Sequence, residues 1–255
     1  MSRTILITGA AKGIGRAVAE NFAADAGHRL ILLDLDLPEL QRWVDEQHGQ
    51  IKARVETHSA NIADLEGMEA FFKMLAKQVD YVDVLVNSAG ICNENEPEDL
   101  HNWHKVISVN LNGTFYVTSS LCLPLMPDRG RIINMSSILG RAGKVRNTAY
   151  CASKHGIVGM TKALALDLAP RLITVNAILP AWIDTPMLQG ELAAQAAIAG
   201  LTQEQILRNA KKKLPMRRFI QSEEVAAMVR YLASPEAGGV TAQSLVIDGG
   251  VGLGM

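Results

Sequence analysis

Cysteine is scarce: the 255 residues hold three, Cys92, Cys122 and Cys151. An odd count without metal-ligand spacing excludes a disulfide framework and a structural zinc site, and no metal centre is expected. Free thiols fit a reducing compartment. Cys151 adjoins Tyr150 but has no paired base, so it reads as a packing residue. Charge of one sign is also missing. Twenty-five Lys and Arg face 26 Asp and Glu, a net charge of −1. That leaves no electrostatic case for nucleic acid or an anionic membrane as partner. The one basic run, Lys211-Lys212-Lys213 with Arg217-Arg218 nearby, reads as a solvated helix face. No apolar run reaches membrane-spanning length, and no secretory leader precedes the first apolar run. The expectation is a cytoplasmic protein. Internal repeats, low-complexity runs and linkers are absent too, so the chain reads as one domain with a full core.

What is present is an alternation. Thr4–Thr8 is a short, β-branched apolar run, followed by Thr8-Gly9-Ala10-Ala11-Lys12-Gly13-Ile14-Gly15 and a helical pattern on Ile14, Ala17, Val18 and Phe22. Strand, glycine turn, helix is a phosphate cradle: glycines let backbone approach a pyrophosphate, and the helix N-terminus offers free N–H groups. A second strand, Arg29–Leu33, ends in Asp34, close to the position from which a carboxylate reaches the adenosine ribose hydroxyls; Asp36 is a rival. The pattern then predicts helix 38–48, strand 55–62, helix 64–79, strand 82–86, a long helix 103–126 containing Asn110, strand 131–137, helix 148–168, strand 172–178, helix 223–232 and strand 244–247. Such alternation predicts an α/β, Rossmann-type, doubly wound parallel sheet covered on both faces.

Residues 131–154 concentrate the chemistry. A strand ends in Ser136-Ser137, a loop runs from Gly140 to Asn147, and Tyr150 and Lys154 fall four apart at the start of a helix. Four residues is about one turn, so phenol and ammonium share a face. A cation beside a phenol favours the phenolate and lowers a pKa ordinarily ~10, which gives an acid/base usable near neutral pH. Ser137 can hydrogen-bond an oxygen held over the same phenol.

Thr8-Gly9…Gly13-x-Gly15, Asn87-Ser88-Ala89-Gly90, Ser137, and Tyr150-x-x-x-Lys154 together resemble the short-chain dehydrogenase/reductase family over nearly the whole chain. The resemblance implies that Tyr150 is the general acid/base and that Ser137 holds the substrate oxygen. Lys154 would bind the nicotinamide ribose and lower the Tyr150 pKa. Asn110 would bend its helix and hold a water in a proton relay. It implies a cofactor framed by Gly9, Lys12, Gly13, Ile14, Gly15, Asp34, Asn61, Ile62, Asn87, Ala89 and Gly90, with Tyr150, Lys154, Pro180, Ile183 and Thr185 at the nicotinamide end. It also implies a homotetramer through helices 103–126 and 148–168, whose patterns are apolar over more surface than one sheet face needs. Two departures stand out. Ser88 replaces a usual Asn. Ala181 replaces the usual glycine after Pro180, where a Cβ would strain any positive-φ backbone.

The expected cofactor is NAD. Asp34 would repel a 2′-phosphate, and Leu35, not Arg, follows it; Lys12 points the other way, to NADP. The 185–215 stretch is long for a connection and reads as a lid of two short helices over a small-molecule substrate. The lid's length is similar to that of 3-hydroxybutyrate dehydrogenases, but Leu139, Asn147 and Cys92 do not match the polar residues those enzymes place around a carboxylate. Arg141, Lys144 and Arg146 crowd the loop between Ser137 and Tyr150, as a solvated loop or as a site for an anionic substrate; Leu139 and Trp182 are further substrate candidates. The leading expectation is an NAD-dependent dehydrogenase of a small polar secondary alcohol: a polyol, sugar or hydroxy acid. Residues 149–250 also resemble polyketide ketoreductases, so an NADPH-dependent β-ketoacyl reductase is an alternative. A cofactor-sensing protein without catalysis is a third, against which the full Asn110, Ser137, Tyr150, Lys154 set speaks.

Overall fold

A computed structural model describes residues 2–47, 49, 51–122 and 124–254, with side chains at 121, 122, 253 and 254 left aside. In chain order the main elements are β1 (Arg3–Thr8), α1 (Gly13–Ala23), β2 (His28–Asp34), α2 (Leu37–Glu46), β3 (Arg54–Ser59), α3 (Leu65–Leu75), β4 (Val84–Asn87), α4 (Leu100–Ile107), α5 (Thr114–Cys122), β5 (Arg131–Met135), α6 (Thr148–Leu168), β6 (Thr174–Pro180), α7 (Pro186–Ala199), α8 (Gln203–Lys213), α9 (Ser222–Ala233) and β7 (Ser244–Ile247).

Among the described residues seven strands form one parallel sheet in the order β3-β2-β1-β4-β5-β6-β7. Successive side chains point to opposite faces, and both faces are covered, so the central strands are apolar throughout. Ile5, Ile7, Leu30 and Leu32 pack under α1, α2 and α9 through Val18, Phe22, Trp43 and Val229. Leu6, Ile31, Leu33 and Leu85 pack under α3, α5 and α6 through Met68, Phe72, Val117 and Ala165. Ile5, Leu6 and Ile7 are fully buried; each such side chain contributes about 1.5–3 kcal/mol. A third cluster, Leu188, Leu192, Ala210, Leu214 and Phe219, joins α7 and α8 to the segment before α9.

Strand order reverses between β1 and β4, the crevice position at which open α/β sheets bind ligands. Register brings Thr8 opposite Asn87 and Asn87 opposite Asn134 there. The two asparagine side chains are joined rather than solvated. Asn87 Nδ2 donates to Asn134 Oδ1 (2.8 Å) and Thr118 Oγ1 (3.0 Å), and Asn134 Nδ2 donates to Thr161 Oγ1 (2.9 Å). Polar groups this deep are stable because they bond to each other, and the chain of bonds ties β4 and β5 to α5 and α6.

Several boundaries differ from the sequence pattern. Strand β3 stops at Ser59, not 62, because Asn61 Oδ1 accepts from the Ala63 N–H and turns the chain. Strand β6 begins at Thr174, after a turn that puts Leu172 at φ 56°. The 103–126 helix is α4 and α5 with a π-helical segment, Ser108–Gly113, between them, and it ends by Cys122, two residues before a proline. Its residue 123, like residue 48 at the end of the expected 38–48 helix, lies outside the described residues. Among the described residues no helix is long and apolar enough to cross a membrane.

Asn134→Ala would leave Thr161 without its donor and Asn87 with one partner fewer, all in the interior. We expect a loss of about 1–3 kcal/mol, read by urea denaturation as a lower midpoint at unchanged slope. An unchanged midpoint would mean that the network does not hold the strand ends.

Candidate active site

The glycine turn is shaped by close approach. Gly9 has φ 68°, and a Cβ on it would stand 2.7 Å from Ala89 Cα; one on Gly15 would stand 2.0 Å from the Gly9 carbonyl oxygen. Thr8 Oγ1 accepts from the Ser88 and Ala89 N–H groups (both 3.1 Å), which fastens the β4 loop to the β1 loop. Helix α1 then starts at Gly13 with no side-chain cap on its first N–H groups. Uncapped N–H groups at the positive end of a helix, at the carboxyl edge of a parallel sheet, fit a pyrophosphate. Gly13 is covered by Thr185: a Cβ there would meet Thr185 Cγ2 at 3.3 Å.

At the adenosine end the two candidate carboxylates have different work. Asp34 Oδ2 accepts from Ala11 N (2.9 Å) and Oδ1 from Asp36 N (2.9 Å), so it orients the glycine turn and keeps a free lone pair on each oxygen for ribose hydroxyls. Asp36 caps α2 through the Glu39 N–H and pairs with Lys12 Nζ at 2.7 Å. Lys12 is thus engaged in an exposed ion pair with its neighbour. Ile62 is buried against Gly113, where an added Cβ would meet Ile62 Cγ1 at 2.8 Å.

Three groups meet around Lys154. Its Nζ donates to the Met135 carbonyl (2.9 Å), its own carbonyl accepts from Ser136 Oγ (2.9 Å), and a Cβ on Gly140 would collide with that carbonyl at 2.8 Å. The ammonium lies over the Tyr150 ring, 5.4 Å from its centroid. Burial lowers Lys154 to about 8 and pushes the Tyr150 phenol above its ordinary value; Ser137's hydrogen bond acts on the phenol in the opposite direction. The phenol is raised and not lowered as expected, desolvation being the largest cause, and a raised phenol is a protonated donor at neutral pH. Fully buried Asn110 sits in the π-helical segment. Its Oδ1 accepts from Ile91 N (2.8 Å), and its Nδ2 donates to Ile91 O (2.9 Å) and Ser153 Oγ (3.2 Å). Its side chain fastens the turn after Gly90 to α6.

A cavity of about 430 Å³ opens over this group. Ser137, Leu139, Lys144, Tyr150, Trp182, Ile183 and Thr185 line it, as sequence suggested, along with Ile14 and Pro180 from the cofactor set. Arg141 and Arg146 do not. Arg141 donates to the Ser244 carbonyl on β7 (2.7 Å), and Arg146 pairs with Glu96 (3.0 Å) and Glu94 (3.7 Å). Each found an acceptor elsewhere, so of the three loop cations only Lys144 lines the cavity. Positive φ falls at Trp182 (52°), not at Ala181, and the indole stacks on Phe219 with centroids 6.3 Å apart. Sequence reasoning missed Thr8, Ser136, Ser153 and Glu191. Glu191 had a signal: it is the only charge in the fourteen residues of α7.

Comparison with known proteins follows the same lines. A family model described as enoyl-(acyl carrier protein) reductase matches residues 9–252. The chain belongs to the short-chain dehydrogenase/reductase family. It is 34% identical to a D-beta-hydroxybutyrate dehydrogenase of Rhizobium meliloti (98% of each chain) and 37% identical to a 3-oxoacyl-acyl-carrier-protein reductase of Thermotoga maritima (98% of this chain, 97% of the other). A variant of actinorhodin polyketide ketoreductase crystallised with NADPH superposes with a TM-score of 0.90 at 34% identity, over 98% of this chain and 97% of that one. As a short-chain dehydrogenase/reductase, the protein is an oxidoreductase that uses a nicotinamide nucleotide on a small-molecule substrate.

Lys154 gives a pH prediction. Its folded pKa lies below the ordinary 10.5, so folding carries a penalty below pH 8 that disappears as pH rises towards 10.5. Between pH 7 and pH 10 the parent should therefore gain about 1–3 kcal/mol of stability relative to Lys154→Met, measured by denaturant titration. A pH-independent difference would mean that Lys154 is not a desolvated cation.

Proposed function

We propose that the protein is an NAD(H)-dependent dehydrogenase that interconverts a small polar secondary alcohol and its ketone. The observation that carries the cofactor choice is Asp34: its carboxylate stands where β2 ends, clasped by two backbone N–H groups, with exposed Leu35 next in sequence. A 2′-phosphate there would meet a fixed negative charge, and Lys12, paired with Asp36, is not free to offset it.

The nicotinamide nucleotide supplies the hydride acceptor or donor. The chain's residues do the rest. Gly9, Gly13 and Gly15 bring backbone against the pyrophosphate, with Asn61, Ile62, Asn87, Ala89 and Gly90 along the adenosine and ribose side. Pro180, Ile183 and Thr185 form the wall at the nicotinamide end. Ser137 Oγ holds the substrate oxygen. Tyr150 exchanges a proton with that oxygen, and its neutral phenol is the form a ketone needs. Lys154 positions the ring and carries a positive charge at neutral pH. Asn110, through Ser153 and Ile91, keeps the turn after Gly90 against α6. Helices α7 and α8 act as the lid.

The apolar lining of the cavity by Ile138, Leu139, Trp182, Met187 and Leu188 favours a second reading, an NADPH-dependent ketoacyl reductase. Side-by-side kinetics with both cofactors on secondary alcohols and β-ketoesters separates the two. We expect NAD to be preferred in the parent, and Asp34→Ala to weaken NAD and shift the preference towards NADP by at least tenfold. A parent that prefers NADPH would overturn the assignment.

We also propose a homotetramer. Phe115 on α5 and Leu166 on α6 are 46% and 74% exposed, and Leu100 at the start of α4 is 67% exposed. Apolar surface of this kind on neighbouring helices marks an interface. Sedimentation should give about four times the 27.6 kDa chain mass at micromolar concentration; a stable monomer would rule the assembly out.

A further inference from the structure

Among the described residues two charged side chains line the cavity, Lys144 on the loop before α6 and Glu191 on α7, and they face each other. Lys144 Nζ donates to Glu191 Oε1 at 3.1 Å. The same oxygen accepts from Cys92 Sγ at 3.8 Å, and Cys92 is also 3.7 Å from Asn147 Oδ1. Lys144's ammonium is thus committed to a carboxylate that is itself turned into the cavity, and the loop's other cations, Arg141 and Arg146, are held outside it. At this end the acceptors Glu191 and Asn147 Oδ1 face donors that are already engaged, the Lys144 ammonium and the Cys92 thiol.

Resting on the alcohol/ketone reading of the site, we infer that Glu191 is a specificity-determining residue: its carboxylate accepts a hydrogen bond from a donor on the substrate's far end, so the substrates are diols, polyols or amino alcohols and not hydroxy acids. A carboxylate entering the cavity would need to displace Glu191 from Lys144 before it gained any cation, and would then lie beside the released acid. A hydroxyl or ammonium meets the free lone pairs of Glu191 with Lys144 left in place. Two further groups report the same negative potential. Glu191 raises the pKa of Cys92, which burial and this acid together bring to about 11, and it acts in the same direction on the Tyr150 phenol. The helix supports the geometry: α7 is capped by Thr185 and pinned through Leu188 and Leu192 in the lid cluster, so Glu191 is presented from a fixed face.

The test uses three ligands on one carbon skeleton: 1,3-butanediol, 4-amino-2-butanol and 3-hydroxybutyrate, which differ only in the far group. With the parent we expect kcat/KM for the diol and the amino alcohol at least tenfold above that for the hydroxy acid. Glu191→Gln removes the charge at constant shape and frees Lys144. It should raise the hydroxy acid at least tenfold, lower the amino alcohol at least tenfold, move the diol less than either, and leave NAD affinity unaltered. Calorimetric binding of the same ligands to parent and variant, with NADH present, reads the order without turnover. A protein that binds them in this order but oxidises none would sink the alcohol dehydrogenase reading and keep the inference. A parent that prefers 3-hydroxybutyrate, or a Glu191→Gln variant with the parent's order in both assays, would overturn the inference.

Discussion

Everything at the carboxyl edge of the sheet depends on one buried cation. Lys154 is desolvated, and its ammonium is held by the Met135 carbonyl at the end of β5. A buried charge without such a partner costs several kcal/mol, so α6 can seat on β5 only in the register that makes this bond. The Ser136 hydroxyl on the Lys154 carbonyl and the close approach of Gly140 to the same atom enforce that register from the other side. Once α6 is seated, Tyr150 lies one turn away under the ammonium, and Ser137 reaches it from the strand end. The relation between hydroxyl, phenol and ammonium is therefore a packing consequence of β5 and α6, not a property of a flexible loop.

A second constraint links this group to the glycine turn. Thr8 holds the backbone at Ser88 and Ala89, and Asn110 holds it at Ile91, so the chain leaving β4 is fixed from both the β1 side and the π-helical side. The π-helical segment at Ser108–Gly113 makes this possible. Its widened turn carries Asn110 inward to Ser153 and lets Gly113 accept Ile62 from the adjacent strand end. π-bulges are recurrent at functional sites because they re-aim a side chain inside an otherwise regular helix. Here the bulge connects the adenosine side of the crevice to the acid/base side.

Much of this was legible in the chain. Apolar runs buried on both faces, glycines at close approach, and Tyr and Lys four apart on a helix are local signals, and local signals read well. The doubly wound parallel sheet and the positions of β1, β2 and α6 followed from them; the strand order did not. Partners distant in sequence were not legible. Arg141 pairs with a carbonyl 103 residues away, and nothing in Arg141-x-x-Lys144-x-Arg146 reveals that two of its cations leave the pocket while the third is neutralised. The phenol's pKa was misjudged for a related reason: spacing shows that a charge is near, but desolvation depends on the whole fold. The shift of positive φ from Ala181 to Trp182 is likewise set by the Ile183–Ile220 bridge and by the stacked Phe219, both contributed from beyond α8.

The central claim is that the phenol of Tyr150 moves the proton while a nicotinamide nucleotide takes the hydride. The most direct measurement is isotope transfer. A secondary alcohol deuterated at its carbinol carbon is incubated with the protein and NAD, and the reduced cofactor is analysed by mass spectrometry. The account predicts one deuterium per NADH formed by the parent, and a rate lowered at least a hundredfold in Tyr150→Phe with NAD affinity within a few-fold of the parent. Deuterium transfer at the parent's rate in Tyr150→Phe, or NADH formed without deuterium, would contradict it.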